Sequence, residues 1–181
     1  MKYEKRIVLK NGKELYIRNG EASDGAAVLE CFNLTHAETD HLLSYPDENR
    51  FDAEAESHFL EEKAKSPNET ELLALIEGRL AGTAGIDALG SYCKVKHRAE
   101  FGINVLKEYW GFGIGTVLTE ACIECAKNAG YVQLELSVAA DNARAISVYK
   151  KFGFVEYGRN PLGFNSRISG FQTLVLMRLE L

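Results

Sequence analysis

The sequence predicts an α/β domain, and two observations support this prediction. Segments in which apolar residues alternate with polar ones, as in half-buried strands, are interspersed with segments whose apolar residues recur every three or four positions, as in helices. The chain also has 181 residues, of which 46% are hydrophobic. This is enough for one domain, residues 1–181, whose core needs neither disulfides nor a metal.

A strand and two helices are predicted in the first third of the chain. Residues 14–18 alternate like a strand, and Ser23 or Asp24 then offers an N-cap for a helix. A second helix is predicted from about residue 52 to residue 65, because the Ser-Pro-Asn segment at residues 66–68 stops it.

Strands and helices alternate through the rest of the chain. A hairpin is predicted over residues 72–76 and 80–86, and a strand over about residues 94–105. Two helices end at glycines, which are the usual residues just after a helix C-terminus. The predicted elements are a helix over 113–129, a strand over 132–138, a helix over 142–152, and strands over 154–157 and 173–179, which are joined by a loop containing Pro161 and Gly163.

The charge balance argues against a nucleic-acid partner. Lysine and arginine total 21 against 26 aspartates and glutamates, for a formal net charge of -5, whereas nucleic-acid-binding surfaces are basic. No stretch approaches the ~20 apolar residues of a membrane span, and the first residues lead into no signal-peptide apolar run. We therefore expect a cytoplasmic protein with no membrane partner, for which a cationic small molecule is the more natural ligand.

The four cysteines, Cys31, Cys93, Cys122 and Cys125, are too few for a disulfide scaffold. Cys122 and Cys125 could form a tetrahedral zinc site with Cys93 and His97. However, Cys122 and Cys125 lie on the apolar stripe of a predicted helix, where free cysteine acts as a small hydrophobe. The second pair also lacks zinc-ribbon spacing, so no metal is predicted.

A glycine-rich turn, Trp-Gly-Phe-Gly-Ile-Gly at residues 110–115, precedes the helix at 113–129. Its glycines let the backbone approach an anion, and the helix N-terminus presents unpaired N–H groups and a positive dipole end. A P-loop is excluded because Gly115 is followed by Thr116-Val117. A dinucleotide fingerprint lacks its third glycine, but Glu135 lies where a ribose-binding acid would, so a nicotinamide-dependent oxidoreductase remains an alternative.

A second motif, Asp-Asn-Ala-Arg-Ala-Ile-Ser-Val-Tyr-Lys-Lys-Phe-Gly-Phe, occupies residues 141–154. Asn142, Ala145 and Tyr149 are spaced so that they share one helix face. The two motifs, separated by one helix and one strand, resemble the acyl-CoA site of the GCN5-related N-acetyltransferase (GNAT) superfamily. The resemblance is specific only within residues 100–154, although nearly the whole chain follows the family's element order.

The resemblance implies a mixed, strongly twisted sheet of about six or seven strands flanked by about four helices. It implies an enzyme that transfers the acetyl group of acetyl-CoA to an amine by direct attack in a ternary complex, and homodimers are common among its members. The implied cofactor-binding residues are Ile103, Val105, Phe112, Gly113, Ile114, Gly115, Thr116, Asn142, Ala145 and Tyr149.

Two features of the sequence bear on the assignment of the cofactor-binding residues. Trp110 replaces the polar first residue of the family's glycine motif, but phosphate contacts in the family come mainly from backbone amides. The strand that contains Ile103 and Val105 carries a bulge in the family and separates from the next strand, which frees backbone groups for the pantetheine arm and the acyl oxygen. Gly102 and Asn104 would accommodate such an irregularity.

The implied chemistry assigns roles to two side chains. Tyr149 would be the general acid that protonates the thioester sulfur. A lysine-like amine has a pKa of about 10.4 and must lose a proton before attack, and Glu100 is the predicted base, acting directly or through a water. Alternatively, Tyr149 packs in the core and Glu100 pairs with Arg98 or His97. A non-catalytic acyl-CoA-binding sensor, which needs neither Tyr149 nor Glu100, is the alternative function.

Residues 38–62 contain nine acidic residues and one arginine. In the family this segment borders the acceptor cleft, where acidic residues would favour a polycationic amine such as a polyamine, an aminoglycoside or a lysine-rich peptide. The alternative is a solvated helix face. The loop over 161–170, with Arg159 and Arg167, is a second candidate wall of opposite charge, so the sequence does not identify the acceptor.

Overall fold

A mixed sheet of eight strands organises the protein in a computed structural model that describes residues 1–181. The strands are neighbours in the order β1-β2-β3-β4-β5-β6-β8-β7, and only the contact between β5 and β6 is parallel. The strands are β1 (Glu4–Val8), β2 (Glu14–Asn19), β3 (Thr70–Ile76), β4 (Arg79–Ala88), β5 (Arg98–Val105), β6 (Gln133–Ala139), β7 (Val155–Ser166) and β8 (Gly170–Glu180).

Four α-helices cover the sheet, as the predicted fold requires: α1 (Gly25–Glu38), α2 (Ala53–Lys65), α3 (Ile114–Asn128) and α4 (Ala143–Lys151). None of them combines the length and hydrophobicity needed to cross a bilayer. The main core lies between the sheet and α3, which buries residues such as Leu118. On the opposite face, Val28 of α1 and Leu60 of α2 pack against Leu73 of β3.

The sequence prediction missed one strand and misplaced one loop. β1 is an edge strand whose residues alternate between exposed and half-buried, and its charged side chains hid it because an edge strand buries little apolar surface. The segment with Pro161 and Gly163 is part of β7, where pairing with β8 shifts between Asn160 and Phe164. Proline is tolerated there because β7 is an edge strand with a bulge.

Asp24 and Asp52 precede the first two helices, but their carboxylates bind different partners. The Asp52 carboxylate accepts hydrogen bonds from the N–H groups of Glu54 and Ala55 and caps α2. Asp24 was expected to cap α1 in the same way, but its carboxylate instead binds the guanidinium of Arg18 at 2.6 and 2.8 Å. This ion pair ties the start of α1 to β2.

The cysteines do not converge. Cys122 and Cys125 are buried in the core along α3, whereas Cys93 is exposed in the connection between β4 and β5. Burial raises the pKa of the Cys125 thiol to about 12. Burial also raises the pKa of the Cys122 thiol, so Cys122 and Cys125 are protonated at neutral pH and act as small apolar side chains.

Leu118→Ala should lower the free energy of unfolding by about 2–5 kcal/mol, because its side chain is 0% exposed and the cavity left behind adds to the lost burial. Urea denaturation followed by circular dichroism measures the change. Leu162→Ala, at a position that is 65% exposed, is the matched control and should change the free energy by less than about 0.5 kcal/mol. Equal losses in both variants would contradict this assignment of the core.

Candidate active site

β5 and β6 are neighbours over only three residue pairs and then separate. The parallel partners are Arg98 with Gln133, Ala99 with Leu134, and Glu100 with Glu135. Beyond Glu100, β5 pairs only with β4, and β6 pairs only with β8. A wedge-shaped gap therefore opens in the middle of the sheet.

The gap exposes backbone groups of β5. At the two ends of the β4–β5 pairing, the Leu89 N–H donates to the Arg98 carbonyl and the Leu106 N–H donates to the Ala81 carbonyl. These bonds show that the backbone groups of even-numbered residues of β5 point toward β4. Backbone groups of successive residues point to opposite neighbours, so those of Phe101, Ile103 and Val105 point toward β6. The Val105 carbonyl in this row accepts a hydrogen bond from the Trp110 indole, and the binding of a ligand by Ile103 and Val105 stays a prediction.

The separation occurs without the bulge that was expected in β5. Pairing between β4 and β5 keeps a constant register from Ala88↔Ala99 to Gly82↔Val105. Within this register Gly85 lies opposite Gly102, and a Cβ added at Gly102 would meet nothing within 4 Å. Gly102 therefore leaves a bare backbone floor beside the gap, whereas Gly85 is covered by the Glu71 carboxylate.

The glycine turn leads into α3 with an open helix N-terminus. Gly111 and Gly113 have φ values of +89° and +90°, a left-handed conformation that favours glycine. No side chain caps α3, and Val117 donates the first helical hydrogen bond, to the Gly113 carbonyl. The N–H groups of Ile114, Gly115 and Thr116 therefore lack helical partners and suit a pyrophosphate.

Trp110 and Arg144 complete the walls of this turn. The Trp110 indole N–H donates to the Val105 carbonyl at 2.8 Å, so the tryptophan anchors the turn to the end of β5. The Arg144 guanidinium carbon lies 5.8 Å from the centre of the indole ring, and Arg144 also approaches Gly111. A cation therefore stands beside the open helix N-terminus.

α4 presents the second motif to the gap. The Asn142 side-chain oxygen accepts a hydrogen bond from the Ala145 N–H at 3.1 Å and caps the helix. Its amide nitrogen is left for a ligand, and the small Ala145 lines the same face. Asn142 thus both caps α4 and provides a polar group on the wall of the gap.

Tyr149 closes the apolar end of the gap. Its ring is 7% exposed and packs edge-on against Phe101, with 6.0 Å between ring centres. Its hydroxyl makes no hydrogen bond within the protein. Every fully enclosed polar side-chain atom in the structure has a hydrogen-bond partner, so the Tyr149 hydroxyl is not fully enclosed and opens into the cavity that the residue lines. Burial raises the pKa of Tyr149 to about 12, which keeps the hydroxyl protonated and able to donate.

The gap continues into a cavity of about 900 Å³ that brings most of the predicted residues together. Phe112 is an exception, because it is not on the cavity and its N–H donates to Tyr109 at 3.4 Å. The predicted cofactor-binding residues on the wall are Ile103, Val105, Gly113, Ile114, Gly115, Thr116, Asn142, Ala145 and Tyr149.

Glu100 is exposed and is not among the residues that line the cavity. It does not pair with Arg98, whose guanidinium binds Glu135, with 2.8 Å between Nη2 and Oε2. The Tyr157 hydroxyl also donates to Glu135, at 3.2 Å. The structure thus places Glu100 where the strands separate, outside the cavity, and its role as base stays a prediction.

The sequence interpretation missed the other end of the cavity. Thr83 and Asp87 of β4 and Glu71 of β3 line it, together with Thr35, Thr39, His41, Leu42 and Leu43 from α1 and the following connection. The alternation of Thr83, Gly85 and Asp87 shows that they share one strand face. No local motif links them to Glu71, because pairing of the two strands alone brings them together.

The connection between α1 and α2 is attached to the β7–β8 hairpin. Asp40 accepts a hydrogen bond from the Ser166 hydroxyl at 2.6 Å, and Tyr45 accepts one from the Arg167 N–H at 2.7 Å. The Arg167 guanidinium binds Asp47 at 2.8 Å. The two predicted walls therefore contact each other, and no acidic residue within 38–62 lines the cavity.

Comparison with known proteins supports this arrangement. A model of the Acetyltransferase (GNAT) family matches residues 33–154. The L-amino acid N-acetyltransferase AaaT of Escherichia coli is 32% identical over 146 residues, covering 78% of this chain and 83% of that protein. An N-alpha-acetyltransferase of Sulfurisphaera tokodaii is 30% identical over 159 residues, covering 81% and 84%.

Among solved structures, a GNAT-family acetyltransferase of Streptococcus pneumoniae has a TM-score of 0.88 and 32% sequence identity. The match covers 92% of this chain and 99% of the streptococcal chain. The similarity therefore extends beyond the two motifs to nearly the whole fold.

Arg144→Ala should raise the Kd for acetyl-CoA about 3- to 10-fold, because it removes a cation beside the open N-terminus of α3. Isothermal titration calorimetry measures the Kd. Lys151→Ala is the matched control, since it removes the same charge from the same helix at an exposed position off the cavity. An equal effect of both variants would show that only the overall charge matters.

Proposed function

The chain belongs to the GNAT family of acetyltransferases and transfers the acetyl group of acetyl-CoA to an amine, and we propose that this amine is an α-amino group whose own carboxyl is in amide linkage. Such an acceptor is the N-terminus of a peptide or an amino-acid amide. Transfer is proposed to occur by direct attack, with the acceptor and acetyl-CoA bound together.

The charge at the acceptor end of the cavity carries this proposal. The cavity wall carries three carboxyl groups, those of Glu71, Asp87 and Asp141, together with one arginine, Arg144, and no lysine. Lys63 binds Asp87, and the His41 imidazole lies 3.5 Å from Asp141, so Glu71 is the carboxyl group without a basic partner. Arg144 lies beside the glycine turn, close to Gly111. An ammonium group is therefore favoured at the acceptor end, but a free carboxylate next to it would have no arginine or lysine partner.

The apolar residues at this end favour a short aliphatic side chain on the acceptor. Leu42 and Leu43 line the cavity next to His41, whose imidazole lies 3.5 Å from Asp141. The names of the two relatives are consistent with an α-amine, because one acts on L-amino acids and the other is an N-alpha-acetyltransferase.

The alternative functions are less well supported. The Glu135 carboxylate, which would bind a ribose in a dinucleotide site, is bonded to Arg98, Gln133 and Tyr157 and does not line the cavity. A non-catalytic acyl-CoA sensor would not need a tyrosine hydroxyl that opens unbonded into the cavity.

Tyr149 is proposed to be the general acid. Its hydroxyl has no partner in the protein, and its pKa, raised to about 12 by burial, keeps the proton in place over the range of ordinary assays. The proton is given up when negative charge develops on the leaving sulfur. Phe101 and Phe154 hold the ring, with centres 6.0 and 5.8 Å away, so the hydroxyl is positioned by packing.

Leucinamide should be a better acceptor than leucine by about tenfold in kcat/KM, because the two differ in the carboxylate that the cavity cannot pair. Release of free thiol from acetyl-CoA measures the rate. The panel also includes a leucyl dipeptide amide, Nα-acetyl-lysinamide and spermidine. Leucinamide and the dipeptide amide should exceed both of the last two.

Preference for leucine would show that the free amino acid is the acceptor and that the amide requirement is wrong. Preference for spermidine or Nα-acetyl-lysinamide would overturn the α-amine itself.

Tyr149→Phe should lower kcat by about 10²–10⁴-fold, the usual contribution of general acid catalysis. The Kd for acetyl-CoA should stay within about twofold, because the ring and its packing are retained. Tyr92→Phe, which alters a tyrosine that is 81% exposed and lies off the cavity, is the matched control. An unchanged kcat in Tyr149→Phe would remove the residue from the chemistry.

A further inference from the structure

We propose that Glu71 is the catalytic base of this enzyme, and that its carboxylate binds the acceptor ammonium group and takes its proton. The inference rests on the proposed function, because it assigns a role in the same amine acetylation. It concerns a residue that lies in neither sequence motif.

Strand pairing places the Glu71 carboxylate on the cavity floor. Glu71 is opposite Gly85, which is in turn opposite Gly102. A Cβ at Gly85 would lie 2.2 Å from Glu71 Oε2, so the carboxylate rests directly over that glycine. The bare floor at Gly102 then leads from the carboxylate toward the gap between β5 and β6.

No cation in the protein neutralises Glu71. Lys63 of α2 is the nearby candidate, but its ammonium group binds Asp87 and lies 3.5 Å from Glu69. Glu71 itself makes no ion pair. An acceptor ammonium group that enters the cavity would supply the missing counter-charge, and the carboxylate would hold it over the floor.

The surroundings also tune Glu71 for proton transfer. Burial is the main cause that raises its pKa to about 7, and the charge of Asp87 and Glu56 acts in the same direction. The Thr83 hydroxyl and Lys63 act in the opposite direction but more weakly than burial. An α-amino group has a pKa of about 7.7–8.0, so the two groups are closely matched near neutral pH, where a base is most effective.

The proton balance of the reaction is then complete. The acceptor ammonium gives one proton to Glu71, and its nitrogen forms the N–C bond to the acetyl carbon while the C–S bond breaks. The sulfur receives a proton from Tyr149, and the second proton of the nitrogen restores Tyr149. Glu71 later loses its proton to solvent, so that each cycle releases one free thiol and one proton.

Glu100 and Glu71 can be compared on the same sheet face. Asp87 lies between them in the sheet, because it pairs with Glu100 and follows Gly85 by two residues. Glu71 lines the cavity, whereas Glu100 is exposed outside it. The geometry therefore favours Glu71 over the base that the sequence predicted.

The test is the pH dependence of kcat/KM for wild type and Glu71→Gln, measured with whichever amine gives the highest value. With an α-amine, wild type should give a bell-shaped profile, rising through about pH 7 as Glu71 ionises and falling above about pH 8 as the free acceptor loses its proton. Glu71→Gln should be at least about tenfold slower at pH 7, and its rate should rise with the fraction of neutral amine and show no fall at high pH.

Glu77→Gln is the matched control, because it makes the same change at the turn of the same hairpin, away from this cavity. It should keep the wild-type profile. Glu100→Gln is measured in parallel. The assignment of Glu71 would be overturned if Glu71→Gln kept the bell-shaped pH profile of kcat/KM, or if only Glu100→Gln lost it.

Urea denaturation provides a readout that does not depend on activity. Because the folded-state pKa of Glu71 is raised from 4.5 to about 7, its contribution to stability is fully present below about pH 4.5 and is lost as the pH rises through 7. Glu71→Gln should therefore lose less stability than wild type between pH 5 and pH 8. An equal loss would show that Glu71 ionises normally and would overturn the proposal.

The two proposals fail separately. If the best acceptor is not an α-amine, the proposed acceptor is wrong, but the comparison of the two profiles with that amine still decides the role of Glu71. If α-amines are the best acceptors and Glu71→Gln behaves like wild type, only the base is wrong.

Discussion

The active site depends on the short pairing between β5 and β6. At the last residue pair, Glu135 on β6 binds Arg98 on β5 and accepts a hydrogen bond from Tyr157 on β7, so the strands are fixed where they begin to separate. Beyond it, the backbone groups of residues 101–105 that face β6 have lost a strand partner. The Trp110 indole bonds one of these groups, the Val105 carbonyl. A buried backbone group without a partner costs about 1–3 kcal/mol, so the others need water or the amides of a ligand.

Glycine provides the space that this arrangement requires. Gly113 takes a left-handed conformation at the entrance to α3, which turns unbonded N–H groups toward the gap. Gly102 leaves the sheet surface bare beside the gap, and Gly85 leaves room for the Glu71 carboxylate. A side chain at Gly85 would also collide with the Glu71 carboxylate, so the same glycine makes room for a substrate and for a charged group.

Sequence patterns predicted the cofactor end of the site because its signals are local. The turn at 110–115 and the helix that starts after Asn142 each fold from residues close in the chain, so spacing alone specifies their shape. Glu71 lies twelve residues before Thr83 in an ordinary apolar strand, and only strand register shows that it reaches the cavity. The same limit applies to β1, whose placement depends on pairing with β2 rather than on its own composition.

The cavity offers different charge to the two substrates. The α3 N-terminus and Arg144 are positive and suit phosphates, whereas the Glu71 carboxyl group has no cationic partner and suits an ammonium group. Tyr149 lines the same cavity. Charge thus orients the two substrates toward each other, and the separation of β5 and β6 provides the passage in which their reacting groups meet.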